Sequence, residues 1–172
     1  ENGATYVHAT VFAIMALFRM GRPRDAWDQL VKVLPFTDLH ARLSHSPFVM
    51  PNAYGFNAEK NIDGENMNDW QTGSSNVLLK LLVRYVFGFE PRLDGVWIQP
   101  AAWLPFKSFE FETRVRGRRW TVKFEDRGLA MRMFRVNGAV AKAERDAVLG
   151  VDKVWLPYDR LAGGDVAVSV EQ

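Results

Sequence analysis

Between Phe89 and Leu93 the spacing of apolar residues changes from the helical period to a period of two, and this switch divides the chain. Ahead of it, Val7–Met20 carries Val11, Phe12, Ile14, Met15, Leu17 and Phe18, apolar on nearly every side. That pattern predicts a helix enclosed by other helices. Gly21 supplies a C-terminal cap and Pro23 suits the first turn of a second helix. The second, Arg24–Leu34, is amphipathic, with Ala26, Trp27, Leu30, Val31 and Leu34 on one face and Asp25, Asp28, Gln29 and Lys32 opposite. A buried helix followed by a half-exposed one is the unit from which helical barrels and solenoids are built. Ser75–Phe87 predicts a third, enclosed helix, polar only at Lys80 and Arg84 and closed by Gly88.

Beyond the switch, Val96–Ile98, Phe109–Arg116, Arg119–Glu125, Leu129–Val136 and Val166–Val170 read as strands. Arg116-Gly117-Arg118 and Asn137-Gly138 are hairpin signals. Phe109, Phe111, Thr113 and Val115 alternate with Glu110, Glu112, Arg114 and Arg116, as in a sheet with one wet face. The fold class is therefore α+β, with a helical part over 1–89 and a β part over 90–172.

Between the second and third helices the helical period is lost. Pro47, Pro51, Gly55, Gly64 and several asparagines mark a long loop, in which Asp38–Leu43 is compatible with a short helix. Phe48, Val49, Met50, Tyr54, Phe56 and Trp70 require burial, so an ordered, functional loop is predicted. It ends in Asp69-Trp70-Gln71-Thr72-Gly73-Ser74-Ser75-Asn76, which runs into the third helix. Local sequence favours an ordinary cap there, Ser74 or Ser75 bonding the first-turn amides. Free amides and the positive end of the helix dipole also suit an anion such as phosphate.

Composition narrows the chemistry. The 172 residues are 48% hydrophobic with six tryptophans and twelve phenylalanines, enough for a core in one domain or two small ones. A formal charge of +2 demands no polyanion. Arg114, Arg116, Arg118 and Arg119 cluster at one hairpin, but the alternation puts Phe109 and Phe111 on the other face, against nucleic-acid binding. With no cysteine and three scattered histidines, no metal site is expected. The Val11–Phe18 run is too short to span a bilayer, so no membrane contact is expected. The loop acids Glu59, Asp63, Glu65 and Asp69 could serve two-carboxylate glycoside chemistry, yet no pairing follows from their spacing. His8 reads as a satisfied core histidine, or as a partner of the third helix's start around one anion. The opening Glu1-Asn2-Gly3-Ala4 resembles neither a native start nor a signal peptide, which predicts a piece of a longer soluble protein.

Glu1-Asn2-Gly3-x-x-Tyr6-x-His8-Ala9, followed by Trp70-x-Thr72-Gly73-Ser74 leading into an apolar helix that ends Phe87-Gly88, resembles the cellobiose phosphorylase family. That family includes the chitobiose, laminaribiose, cellodextrin and β-1,2-oligoglucan phosphorylases. Leu93-Asp94-Gly95-Val96-Trp97-Ile98-Gln99-Pro100 is similar to the strand with which the family leaves its helical barrel. The resemblance covers most of residues 1–125. It implies the last helices of an (α/α)6 barrel followed by a C-terminal antiparallel β-sandwich-like domain.

The implied activity is phosphorolysis of β-linked gluco-oligosaccharides, a hexosyl transfer to inorganic phosphate that gives an α-sugar 1-phosphate with inversion. Phosphate arrives already nucleophilic, so one carboxylic acid suffices and the site must instead neutralise the anion. By motif position His8, Thr72 and Gly73 are implied phosphate ligands, and Glu1 a sugar contact in the leaving-group subsite. Ser74 and Ser75 then keep the capping role. No cofactor is implied. The expected partners are the oligosaccharide, phosphate and the remainder of the parent enzyme, cytoplasmic and in a family often dimeric. The family's Asp-Trp-Asn-Asp-Gly-like motif with the general acid is absent here, so this chain holds no catalytic residue and alone should be inactive. Met50–Asn57 stands where many relatives read Glu-Pro-Tyr-x-Tyr-x-Gln, and Phe56 replaces a glutamine that lines the sugar site. The alternatives are a non-catalytic carbohydrate-binding or structural module, and a hydrolase on the same barrel.

Overall fold

The computed structural model describes residues 4–35, 49–67, 72–161 and 163–172. It divides into two compact units, Glu1–Leu82 and Val83–Gln172. The segment compatible with a helix at Asp38–Leu43 lies outside the described residues.

In the first unit, strand β1 (Ala4–Tyr6) leads directly into helix α1 (Val7–Arg19), and helix α2 follows at Pro23–Val33. Met20-Gly21-Arg22 turns the chain between them. Gly21 takes φ +71°, where a Cβ would be strained, and the amides of Gly21 and Arg22 donate to Phe18 O and Leu17 O. Two strands, β2 (Ala53–Gly55) and β3 (Glu65–Met67), join β1 in an antiparallel sheet of order β1-β2-β3. Val7 N–H donates to Asn52 O at 2.9 Å, which ties the start of α1 to this sheet. Helix α3 (Ser74–Leu81) packs on α1 and continues into a π turn, Leu82–Val86.

The buried stripe of α1 is Val7, Val11, Ile14 and Phe18, one face at helical spacing. Phe12 is 55% exposed and, on α3, Leu79 is 60% exposed. The described residues do not themselves supply the enclosure expected of both helices. Among the described residues the neighbours of α1 cover one stripe and leave its opposite apolar face open, whereas the open side of α3 carries Ser75, Asn76, Leu79 and Lys80.

The second unit has two sheets. Strands β4 (Phe89–Pro91) and β5 (Gly95–Ile98) belong to the first. Strands β6 (Ser108–Val115), β7 (Arg118–Glu125), β8 (Met133–Val136) and β9 (Ala139–Ala141) belong to the second. Strands β10 (Glu144–Arg145) and β11 (Asp152–Pro157) return to the first, in the order β10-β11-β5-β4. The last strand, β12 (Val166–Glu171), enters the second sheet to give β6-β7-β12-β8-β9. Phe89, Val96, Ile98, Val154 and Leu156 from one sheet pack in a single core with Trp120, Val122, Phe124, Phe134, Val166, Val168 and Val170 from the other. Each side chain fully buried there contributes about 1.5–3 kcal/mol.

Two of the hairpins turn where the sequence puts them. Arg116 and Gly117 (φ +50° and +76°) join β6 to β7, and Asn137 and Gly138 (φ +48° and +85°) join β8 to β9. Positive φ at both central residues matches the right-handed twist of the strands. The expectation of a purely antiparallel β part is corrected at one pairing: β12 runs parallel to β7 and antiparallel to β8. The long connection after β8 lets the chain return in either sense, whereas a two-residue hairpin forces antiparallel pairing.

Two polar groups of the second unit are held by several hydrogen bonds each. Burial pushes the Arg132 guanidinium down to about 10, against the opposing pull of Asp152, so it stays charged at neutral pH. It donates to Pro100 O, Ala101 O and the Gln172 side chain. The Asp146 carboxylate accepts from Leu149 N at 2.9 Å, Val148 N at 3.0 Å and Lys153 Nζ at 3.1 Å. These bonds, the Leu149 amide above all, hold it down to about 2. Its folded value lies below its unfolded one, so its stabilisation is complete above about pH 5 and is lost as pH falls towards 2. Asp146→Ala is expected to cost about 1–2 kcal/mol at pH 7. Urea unfolding at pH 7 and again near pH 2 checks this: the gap between variant and wild type should close in acid.

Candidate functional site

The first unit brings together the starts of two helices. His8 is the second residue of α1, and Gly73 caps the N-terminus of α3. A Cβ built on Gly73 would stand 3.3 Å from His8 Cε1 and 3.6 Å from Nδ1. The missing side chain therefore leaves room for the imidazole to lie against the first turn of α3. His8 stacks on Phe12, ring centroids 5.2 Å apart at 21°, and lies 6.0 Å from Tyr6 at a tilt. These neighbours at i−2 and i+4 flank the ring.

Thr72 sits one residue before the cap. Its Oγ1 accepts from Ser74 N–H at 3.1 Å and lies 2.7 Å from Ser74 Oγ. The cap residue Gly73 offers no side chain, and its carbonyl accepts from Val77 N–H at 3.2 Å. The capping role expected of Ser74 and Ser75 thus belongs to Thr72. The helix begins at Ser74, whose own amide needs an acceptor, and the hydroxyl two residues upstream is the one in reach. The Thr-x-Ser spacing was the signal in the sequence. Within a helix no acceptor exists for the first-turn amides, and Ser75 and Asn76 are exposed, so this end is open to a ligand. A neutral imidazole carries one N–H donor, and a hydroxyl one more. His8, Thr72 and the amides of α3 together form a small patch of donors at the positive end of a helix dipole, which suits an oxyanion.

Of the other residues singled out by sequence, some are exposed and some lie outside the described residues. Glu1 and Asp69–Gln71 are outside the described residues. Glu59 and Asp63, between β2 and β3, and Glu65, at the start of β3, are exposed. Phe56, immediately after β2, is 51% exposed. Among the described residues no group of three or more histidine, cysteine, aspartate or glutamate side chains could hold a metal ion. No described helix is long and apolar enough to cross a membrane. Three of the four arginines of the β6–β7 hairpin are engaged: Arg116 donates to Leu93 O and lies over the Tyr158 ring, Arg118 donates to Leu161 O at 3.3 Å, and Arg119 pairs with Asp165 at 3.5 Å.

No protein-family model matches the chain. Comparison with curated proteins finds a solabiose phosphorylase of Paenibacillus borealis, 35% identical over 104 residues, or 58% of this chain. This chain is related to the glycoside phosphorylases. A 3-O-beta-D-glucopyranosyl-beta-D-glucuronide phosphorylase of the same organism is 25% identical over 118 residues, 67% of the chain. A cyclic beta-(1,2)-glucan synthase of Rhizobium meliloti is 25% identical over 156 residues, 87% of the chain. The chain spans only 13%, 15% and 5% of the lengths of these three relatives. The kinship with phosphorylases expected from the two motifs is thus borne out.

Proposed function

We propose that this chain is the C-terminal part of an inverting β-glycoside phosphorylase, in which His8, Thr72 and Gly73 bind the attacking phosphate. The observation that carries this reading is the His8 imidazole lying against Gly73 at the start of α3. Those are the residues of the two motifs, 65 positions apart in sequence, and they converge on a helix N-terminus with donors suited to an oxyanion.

In this reading a phosphate oxygen attacks the anomeric carbon from the face opposite the leaving group. The glycosidic C–O bond breaks as the new C–O bond forms, and a carboxylic acid outside this chain gives its proton to the departing oxygen. The donors at α3 hold the phosphate in line without neutralising it so far that it stops attacking. Glu1 contacts the sugar on the leaving-group side. The open apolar face of α1 and Leu79 of α3 pack against the remaining helices of an (α/α)6 barrel. The enzyme is cytoplasmic and homodimeric, and it needs no cofactor because phosphate is itself a substrate.

The full-length protein is expected to convert β-linked gluco-oligosaccharides and inorganic phosphate to an α-sugar 1-phosphate, followed by phosphorus NMR. Sugar release that proceeds equally well without phosphate would identify a hydrolase and sink the proposal.

A further inference from the structure

Ser74 has a feature that neither capping nor phosphate binding requires. Its residue is fully buried, and its hydroxyl has one hydrogen-bond partner among the described residues, Thr72 Oγ1 at 2.7 Å. A hydroxyl carries one donor proton and two acceptor lone pairs. One lone pair of Thr72 Oγ1 already takes the Ser74 N–H at 3.1 Å. Two arrangements of the pair are then open. If Thr72 donated to Ser74, the Ser74 proton would be buried with no acceptor among the described residues, which is the costly outcome. If Ser74 donates to Thr72, both the amide and the hydroxyl of Ser74 are satisfied. Both lone pairs of Thr72 Oγ1 are then filled from within, and its own proton is left pointing away from the pair.

We infer that Ser74 is a positioning residue that makes the Thr72 hydroxyl a dedicated hydrogen-bond donor, so that the site accepts a fully ionised oxyanion. This rests on the phosphate site proposed above. A hydroxyl free to rotate can present a lone pair to an anion as readily as a proton, and a lone pair repels. Fixing both acceptor positions removes that alternative before the ligand arrives. The restriction is local, because Ser74 itself does not touch the ligand.

The test is a double-substitution cycle in the full-length protein, with KM for phosphate and KM for sugar measured separately. Thr72→Val is expected to raise the phosphate KM at least tenfold. Ser74→Ala should raise it about fivefold, leave the sugar KM within twofold, and add nothing once Thr72 is valine. Independent, multiplying effects would overturn the inference, as would a wild-type phosphate KM in Ser74→Ala. Should the alanine variant not fold, Ser74→Cys replaces the hydroxyl by a weak donor of similar shape. It is expected to raise the phosphate KM about threefold, and an unchanged value overturns the role. A Thr72→Val enzyme with unaltered phosphate KM defeats the phosphate site itself, whatever Ser74→Ala does.

Discussion

His8→Ala in the full-length protein is expected to raise the phosphate KM by about 10- to 100-fold while the sugar KM changes far less. The size follows from the interaction lost. A hydrogen bond to a charged group contributes about 1.5–3 kcal/mol, and each 1.4 kcal/mol is a factor of ten in affinity. The imidazole has no competing hydrogen bond among the described residues, since its neighbours are the rings of Tyr6 and Phe12 and the glycine at the start of α3. His8→Asn keeps an N–H donor on a shorter side chain and is expected to fall between the two. Steady-state kinetics with each substrate varied at saturating concentrations of the other separates the readings. Equal losses for phosphate and sugar would mean that His8 only supports the fold of the helix pair.

Gly88→Ala is expected to destabilise the β unit by more than about 4 kcal/mol, the range reserved for backbone strain and overpacking acting together. Gly88 sits at φ +71°, and a Cβ there would stand 2.0 Å from Gln99 C, with Gln99 O and Pro100 N each 2.1 Å away. These are backbone atoms and cannot swing aside. Gly88 O also accepts from Gln99 N–H at 2.7 Å, so relief by separating the strands would break that bond. Gly117→Ala supplies the control. Its φ is +76°, but the space around it is open, and only the left-handed penalty of about 1–2 kcal/mol applies. Thermal unfolding followed by near-ultraviolet circular dichroism should show a loss for Gly88→Ala several times that for Gly117→Ala. Equal losses would mean that the close approach to Gln99 is relieved elsewhere.

Much of this architecture is legible because the relevant signals are local. The apolar stripes of α1 and α2, the cap at Gly21, and the dipeptides Arg116-Gly117 and Asn137-Gly138 each state their conformation within a few residues. The three-stranded sheet of the first unit escaped because each strand has only three residues, too few to show a period. Its pairing joins Ala4–Tyr6 to Ala53–Gly55 across the whole loop. Strand β11 escaped because its inward set begins with Asp152, a buried carboxylate held by Arg145 at 3.0 Å, which breaks the expected apolar alternation. The exposure of Phe12 and Leu79 was invisible for a different reason: composition says that a face is apolar, not what covers it. For the site, no periodicity links His8 to Gly73. The two motifs connected them through resemblance, and the packing of α1 on α3 supplies the physical connection. The capping hydroxyl lies two residues earlier than expected, at Thr72 instead of Ser74, because a hydroxyl two residues before its target competes equally well for the same amide.

The placement of β12 has a consequence for how the polypeptide is made. Strands β6 to β9 all precede it in the chain, yet β12 lies between β7 and β8 and holds the two hairpins in one sheet. Once β8 is made, and until residues 137–165 and the last strand have been added, β7 and β8 each present an unsatisfied edge to the cell. The nascent sheet is two separate ribbons until the stretch Val166–Glu171 emerges and closes the gap. Such edges are templates for pairing with other chains. During synthesis the hazard for this unit is therefore intermolecular, and it ends only when its last strand arrives.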